Sequence, residues 1–497
     1  MAERHVGGRD PGTLGQRDSW DGVRAVVAGF GVTGFAAADS LTHLGASVVA
    51  LGEKQTDDMA ERAELLGMFG ADVRLGAGAT ASLPADLDDL DLLVTSPGFR
   101  PDAPLLAAAR ARGVPVWGEV ELAWRLRDPD RAAPWLAVTG TNGKTTTVQM
   151  LDSILVAAGL RSACVGNVGR PIVEAVMDPE PYDVLAVELS SFQLHYADSV
   201  RCESAAVLNV AEDHLDWYAG PAPMAAYAAD KGRIYAGVER ACVYNVSDPV
   251  TERLVVEADV ADGARAIGFT LGVPGVGMLG LVDDVLADRA FIEARHSSAA
   301  ELCTLADLNG GAPPPPHFVA NALAAAALAR AHGVSQQAVR DGLRAFRPDG
   351  HRISVVAVVD GVAYVDDSKA TNPHAARASL QAYDPVVWVA GGLAKGASFD
   401  DLVRTVGGRL RGVVLLGRDR DVIAAALSRH APDVPVIDVT AGETGSPMGR
   451  AVTAAAGLAK PGDTVLLAPG CASMDMFTDY GQRGDAFAAA VRTLQAG

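Results

Sequence analysis

The sequence predicts an α/β protein of three domains, each built on a mainly parallel sheet. Two observations carry this. Apolar strand-like runs alternate with helical stretches in three separate series along the chain, the pattern of parallel sheets. The length, 497 residues, accommodates roughly three domains of ordinary size. Boundaries are expected near 130 and 348. The expected division is a disordered tail (1–20), an N-terminal Rossmann-like domain (21–130), a central domain (131–347) and a Rossmann-like C-terminal domain (348–497).

The tail, MAERHVGGRDPGTLGQRDSWDG, is polar and has no apolar core of a signal peptide. The first series opens with the strand VRAVVAGF (23–30), a glycine turn and the helix GFAAADSLTHLG. The strands SVVAL and LDLLVTSPGF follow. The second series starts at APWLAVTGT and continues through DVLAVELS (183–190) and SAAVLNV (204–210). A strand-rich region near 250–312 leads to an alanine-rich helix from Phe318 to about His332. The third series has the strands VAYVDDS, PVVWVAGG, RGVVLLG and DTVLLAP. No apolar run reaches the ~20 residues that a bilayer span needs, so no membrane insertion is expected.

A net charge of −19 argues against a general nucleic-acid binder. The five cysteines are scattered without a CxxC pair, which predicts a reducing, cytoplasmic setting and no zinc site. Of 42 basic residues only six are lysine: Lys54, Lys144, Lys231, Lys369, Lys395 and Lys460. A chain that otherwise uses arginine keeps lysine where a compact ammonium, or an amine that can lose its proton, is required. Lys54 and Lys460 need no such explanation.

Residues 29–34 spell G-x-G-x-x-G between a strand and a helix, where backbone can approach a phosphate. A dinucleotide site would want an acid at the end of the next strand. Gly52 occupies that place with Glu53 beside it, so an NAD-dependent oxidoreductase is the alternative reading. The run Gly140-Thr141-Asn142-Gly143-Lys144-Thr145-Thr146 is the stronger signal. Its N–H groups can form an anion nest at a helix start, Lys144 can reach the β- and γ-phosphates of a nucleotide, and the Thr145 hydroxyl can ligate Mg2+. Glu188 ends the next strand of that sheet and is a candidate Mg2+ ligand. His214 stands among Glu212, Asp213 and Asp216 after a third strand, and Lys231 lies on a following helix. In the last domain His351, Arg352, Asp366, Asp367, Lys369, Thr371 and Asn372 crowd around one strand end. Gly391, Gly392 and Lys395 follow another, and Ser473 sits at an expected helix start. These strand ends share one sheet edge and suit an acidic small molecule.

Together GTNGKTT, ELSSFQL, NVAEDHLD, KGRIY, GHR, DDSKATNP and the final PGCAS to QRG stretch resemble the Mur ligases over nearly the whole chain after residue 20. The resemblance is closest to the members that add D-glutamate, with a Mur-type amide ligase for a different amino acid as the alternative within the family. It implies an ATP-dependent amide ligase of the cytoplasmic stage of peptidoglycan synthesis, acting as a monomer on UDP-N-acetylmuramoyl-L-alanine and D-glutamate through an acyl phosphate. It also implies a central ATPase domain of the phosphate-loop type. Lys144, His214, Lys231 and Lys369 become the expected catalytic residues. Thr145, Glu188, His214 and a CO2-carbamylated Lys231 become the expected ligands of two Mg2+ ions. Gly140 to Thr146, Asn321, Arg352 and Asp367 are implied to hold ATP. Val32, Thr33, Ser96 and Asn167 are implied to hold the UDP-sugar, and Thr371, Lys395, Ser473 and Tyr480 the D-glutamate. The chain departs from the family at Phe318, where Asn is common, at Gly52, which replaces an Asp, and at Tyr480, where Phe is common. It also lacks an acid often found before Lys395.

Overall fold

The computed structural model describes residues 10–496 except 88, 219, 309–313, 348–349, 352 and 440–445. The chain forms two compact units, Met1–Val210 with Ala225–Phe346, and Ala211–Met224 with Arg347–Gly497. The residues expected as the first two domains thus fall in one unit. The short segment 211–224, expected in the central domain, groups with the C-terminal one.

The first unit holds two sheets. Strands β1 (Arg24–Ala28), β2 (Ser47–Gly52), β3 (Asp72–Leu75), β4 (Leu92–Thr95) and β5 (Val116–Gly118) make a parallel sheet of order β3-β2-β1-β4-β5. They alternate with helices α1 (Val32–His43), α2 (Asp57–Met68), α3 (Pro104–Ala111) and α4 (Glu119–Arg125). β1 and β4 lie in the middle of the sheet and bury nearly every side chain. That is why they read as continuous apolar runs and not as alternating ones.

The second sheet combines β6 (Trp135–Thr139), β7 (Ser162–Gly166), β8 (Val184–Glu188), β9 (Ser204–Val207), β10 (Ala241–Asn245), β11 (Arg265–Phe269), β12 (Met278–Val282), β13 (Val285–Asp288) and β14 (Ala300–Thr304). Its order is β14-β13-β12-β11-β10-β9-β6-β8-β7, parallel except for the two last hairpin pairings at β12-β13 and β13-β14. The connecting helices are α5 (Lys144–Ala157), α6 (Ile172–Val176), α7 (Ser191–His195), α8 (Pro223–Gly232) and α9 (Pro249–Val256), followed by α10 (Pro316–His332) and α11 (Gln336–Ala345). Alanines 322, 324–327 and 329 of α10 are fully buried. Small side chains let this helix lie against the sheet and α5 in one apolar core. β6 and β9 are neighbours and β8 flanks β6, so the C-terminal ends of all three strands meet at one crevice.

The second unit carries β15 (Ser354–Val359), β16 (Val362–Asp366), β17 (Val386–Gly391), β18 (Leu410–Leu416), β19 (Val436–Asp438) and β20 (Thr464–Leu467), in the order β15-β16-β20-β17-β18-β19. Helices α12 (Pro373–Leu380), α13 (Asp400–Val406), α14 (Arg420–His430), α15 (Pro447–Leu458) and α16 (Tyr480–Ala496) pack around it. β16, β20, β17 and β18 run parallel, so their ends share one edge, as expected.

The tail expectation fails for residues 10–20. Arg17 pairs with Asp128 and Asp130, each at 2.6 Å. Trp20 is fully buried, and its indole N–H donates to the Gly15 carbonyl at 3.1 Å. A single aromatic and one ion-paired arginine anchor a segment with no periodicity of its own. Residues 1–9 lie outside the described residues. Ser473 is also not at a helix start. It opens an isolated turn, with Met476 and Phe477 N–H donating to its carbonyl, and the last helix begins at Tyr480.

Candidate active site

The loop between β6 and α5 is built by glycines where other residues would fail. Gly143 caps α5 at φ +86°, and a Cβ there would lie 2.4 Å from Asn321 Oδ1 of α10. Asn209, after β9, clamps the loop from outside. Its carbonyl accepts from Thr141 N–H at 2.9 Å, and its side chain accepts from Asn142 N–H at 2.9 Å and donates to the Asn142 carbonyl at 3.1 Å. Thr145 and Thr146 are buried in the first turn of α5. Lys144 Nζ donates to the carbonyls of Gly140 and Thr141, both at 2.9 Å.

Lys231 comes to the same carbonyl. It is only 2% exposed in the last turn of α8, and its Nζ donates to Gly140 O at 2.9 Å. Its ammonium lies 4.5 Å from the Tyr227 ring centroid, and the Tyr227 hydroxyl shares a 3.0 Å hydrogen bond with Thr141 Oγ1. The neighbouring Asp230 meets His195 at 2.9 Å. Glu188, at the end of β8, is 1% exposed. One oxygen accepts from Asn167 Nδ2 at 2.8 Å, and among the described residues the other is buried with no hydrogen-bond partner. A buried carboxylate oxygen in that state costs free energy unless a cation or donor completes it. Glu188 beside a phosphate loop therefore fits a hard divalent ion such as Mg2+.

In the N-terminal sheet the turn 29–34 abuts the loop after β4. Ser96 Oγ donates to the Gly29 carbonyl at 3.3 Å. A Cβ on Gly34 would sit 1.8 Å from that same carbonyl oxygen, so close helix–turn packing requires this glycine. Val32 is 60% exposed at the start of α1, with Thr33 beside it. Glu53 is occupied by its neighbours. It accepts from Gly78 N–H at 2.8 Å and Thr80 Oγ1 at 2.9 Å, which hold its carboxyl below the usual range. The acid that a dinucleotide site would use is thus committed to a turn.

In the second unit Asp366 accepts from His351 Nδ1 at 2.6 Å, and Asp367 is buried against Ser379. Asn372 caps α12, which leaves Lys369 and Thr371 in the connecting turn. Lys369 Nζ lies 4.8 Å from the Tyr480 ring centroid, and Ser368 Oγ donates to the Tyr480 carbonyl at 2.7 Å. Lys395, at φ +52°, faces Asp213 at 3.5 Å and His214 Nε2 at 3.2 Å, and Asp213 also accepts from Asn372 at 3.4 Å. Paired backbone bonds between Leu393 and Ala472 at 2.9 Å lay the Lys395 and Ser473 loops side by side. Arg352 lies outside the described residues.

Three side chains that residue-type reasoning did not single out hold these loops. Asn209 was visible only as part of NVAEDHLD, and Tyr227 carried no signal. Arg483, of the QRG stretch, is 1% exposed and donates to Ser368 O at 2.7 Å, Ser368 Oγ at 2.9 Å and Cys471 O at 3.0 Å. Burial pulls its guanidinium down to about 10. Burial also pushes the neighbouring Cys471 thiol up to about 12, which keeps it protonated and unreactive.

Comparison with known proteins identifies the family. Residues 23–118 match the MurD-like N-terminal domain of Mur ligases, 138–329 the Mur ligase middle domain, and 351–471 the Mur ligase glutamate ligase domain. The UDP-N-acetylmuramoylalanine–D-glutamate ligase of Streptomyces avermitilis is 61% identical over 478 residues, covering 96% of this chain and 100% of that protein. The protein of the same name from Leifsonia xyli is 51% identical over 96% of this chain and 94% of its own. Among solved structures, MurF from Acinetobacter baumannii matches with a TM-score of 0.55 at 18% identity, covering 97% of this chain and 93% of that one. A pseudomurein peptide ligase type C from Methanothermus fervidus matches with a TM-score of 0.56 at 18% identity, covering 95% and 100%. These two likenesses speak for the fold. The identity to the curated relatives, sustained from the N-terminal sheet to the last helix, settles the family: the chain belongs to the Mur ligases, in the branch of the UDP-N-acetylmuramoylalanine–D-glutamate ligases.

Proposed function

We propose that the chain joins D-glutamate to UDP-N-acetylmuramoyl-L-alanine in the cytoplasm, with hydrolysis of ATP to ADP and phosphate. The observation that carries this is the convergence of Lys144 and Lys231 on the phosphate-loop carbonyl of Gly140, in a chain 61% identical to a ligase of that name.

A carboxylate is a poor acyl donor, and its approach to a triphosphate brings anions together. Lys144 and the N–H groups of 140–146 offset the charge on the β- and γ-phosphates, with Asn321 against the loop and Arg352 and Asp367 as further nucleotide contacts. Thr145, Glu188, His214 and Lys231 would hold two Mg2+ ions, which supply charge neutralisation and Lewis acidity at the transferring phosphoryl group. Lys231 would serve that set once its ammonium has released a proton to solvent, the neutral amine has added to CO2, and the adduct has released a second proton. A cation is thereby replaced by a carbamate anion, a conversion closed to arginine. The L-alanine carboxylate takes the γ-phosphoryl group, ADP leaves, and the D-glutamate amine attacks the acyl carbon. Loss of a proton and expulsion of phosphate leave the amide. Val32, Thr33 and Ser96 hold the UDP end and Asn167 the muramoyl part. Lys369 adds a cation for the charge that develops during transfer, and Thr371, Lys395, Ser473 and Tyr480 hold the D-glutamate carboxylates.

The test is phosphate release with purified components. It is expected only when ATP, UDP-N-acetylmuramoyl-L-alanine and D-glutamate are all present. Equal turnover with either acceptor omitted, or with another amino acid in place of D-glutamate, sinks the assignment.

A further inference from the structure

We infer that His195 is a positioning residue for Lys231, acting through Asp230. The inference rests on the assignment of Lys231 as a carbamylated metal ligand. Glu188 and His195 lie at the two ends of one short stretch, because α7 starts three residues after Glu188 and ends at His195. A reciprocal capping box between Ser190 and Gln193 fixes the start of α7. At its end, His195 Nδ1 lies 2.9 Å and 3.2 Å from the two carboxylate oxygens of Asp230, which is 8% exposed. Arg233 adds a second tie, donating to the carbonyls of Leu194 at 2.8 Å and Ala197 at 3.2 Å.

Consecutive residues of an α-helix point about 100° apart. Pinning Asp230 therefore fixes the rotation of the last turn of α8 and so the direction of the next side chain, Lys231. Tyr227, one turn back, pins the same face through Thr141. The imidazole is itself held. Its ring stands edge-on to Tyr196 with centroids 4.9 Å apart, and the Tyr196 hydroxyl donates to the Phe99 carbonyl at 2.8 Å. Glu188 and Lys231 are thus linked through the capped stretch 188–195, which His195 ties to α8. Partners that orient a metal ligand in this way typically account for about 10- to 100-fold in activity or metal affinity.

The experiment compares His195→Phe, which keeps a ring against Tyr196 but removes the donor, with His195→Asn, whose amide can place a donor near the Nδ1 position. Each is assayed for kcat, KM and melting temperature, and for the carbamate resonance under 13C-labelled bicarbonate. The expected result for His195→Phe is a kcat lower by about 10- to 100-fold, a KM for ATP near wild type and a weakened carbamate signal. His195→Asn should recover most of both. Wild-type kcat and signal in His195→Phe overturns the inference, as does a lowered melting temperature with neither changed. Absence of the carbamate signal in the unmutated enzyme, or full activity of Lys231→Ala, overturns the carbamate assignment itself and the positioning role with it.

Discussion

Replacing Glu119 by glutamine should remove a pH dependence of stability that the wild-type chain carries. Glu119 opens α4, is 4% exposed, and reaches across to α6, where Val173 N–H donates to Oε1 at 2.7 Å. That bond and the Ile172 N–H favour the carboxylate. Burial and the nearby charge of Glu174 oppose it, Oε2 has no partner among the described residues, and burial wins: the carboxyl is pushed up from 4.5 to about 7. Between these two values the folded chain holds more protons than the unfolded one. Stability is therefore lost as pH rises from about 4.5 to about 7. Integrating the linkage for a pKa of 4.5 unfolded and about 7 folded gives a change of about 2.5 kcal/mol between pH 5 and pH 8. The amide introduced by Glu119→Gln cannot ionise but keeps an acceptor for Val173. Urea unfolding of both proteins at pH 5 and pH 8 isolates the effect, because other groups cancel in the difference. The variant should gain about 2.5 kcal/mol relative to wild type on going to pH 8. An unchanged difference at the two pH values would refute the reasoning that desolvation outweighs the capping bonds.

Two further substitutions probe the site. Gly143→Ala places a Cβ against Asn321 Oδ1 in a left-handed conformation, which by itself costs about 1–2 kcal/mol. ATP affinity measured by calorimetry should fall at least about tenfold, and an unchanged affinity would mean that the loop rearranges freely. Tyr196→Phe leaves the Phe99 carbonyl without its donor, a loss of about 1 kcal/mol. The same loop carries Ser96, so KM for the UDP-sugar should rise about fivefold. An effect confined to kcat would contradict the placement of Ser96.

Much of the architecture was legible because it rests on local rules. The three α/β series announced themselves through apolar strand runs, and the glycine turns at 29–34 and 140–143 through residues with few other uses. The four lysines that asked for an explanation, Lys144, Lys231, Lys369 and Lys395, all fall in strand-end loops or on the helices beside them. The order of the motifs then carried the family. The misses are cases where the deciding contact is distant in sequence. Trp20 and Arg17 order a stretch that has no pattern of its own. The segment 211–224 groups with the second unit through contacts such as Lys395 with Asp213, 182 positions away.

By itself the sequence determined the groups on offer: a Gly-Thr-Asn-Gly-Lys-Thr turn between strand and helix, a carboxylate at a strand end, and six lysines in a chain that otherwise uses arginine. Only the tertiary structure decided how these groups are held. That Lys231 is buried on the Gly140 carbonyl, that Asp230 turns to His195, and that Glu119 is desolvated against α6 are consequences of strand order and helix packing. A residue's type sets what it can donate, accept or ionise. Its burial and partners set which of these it does, and they come from chain segments that no local pattern connects.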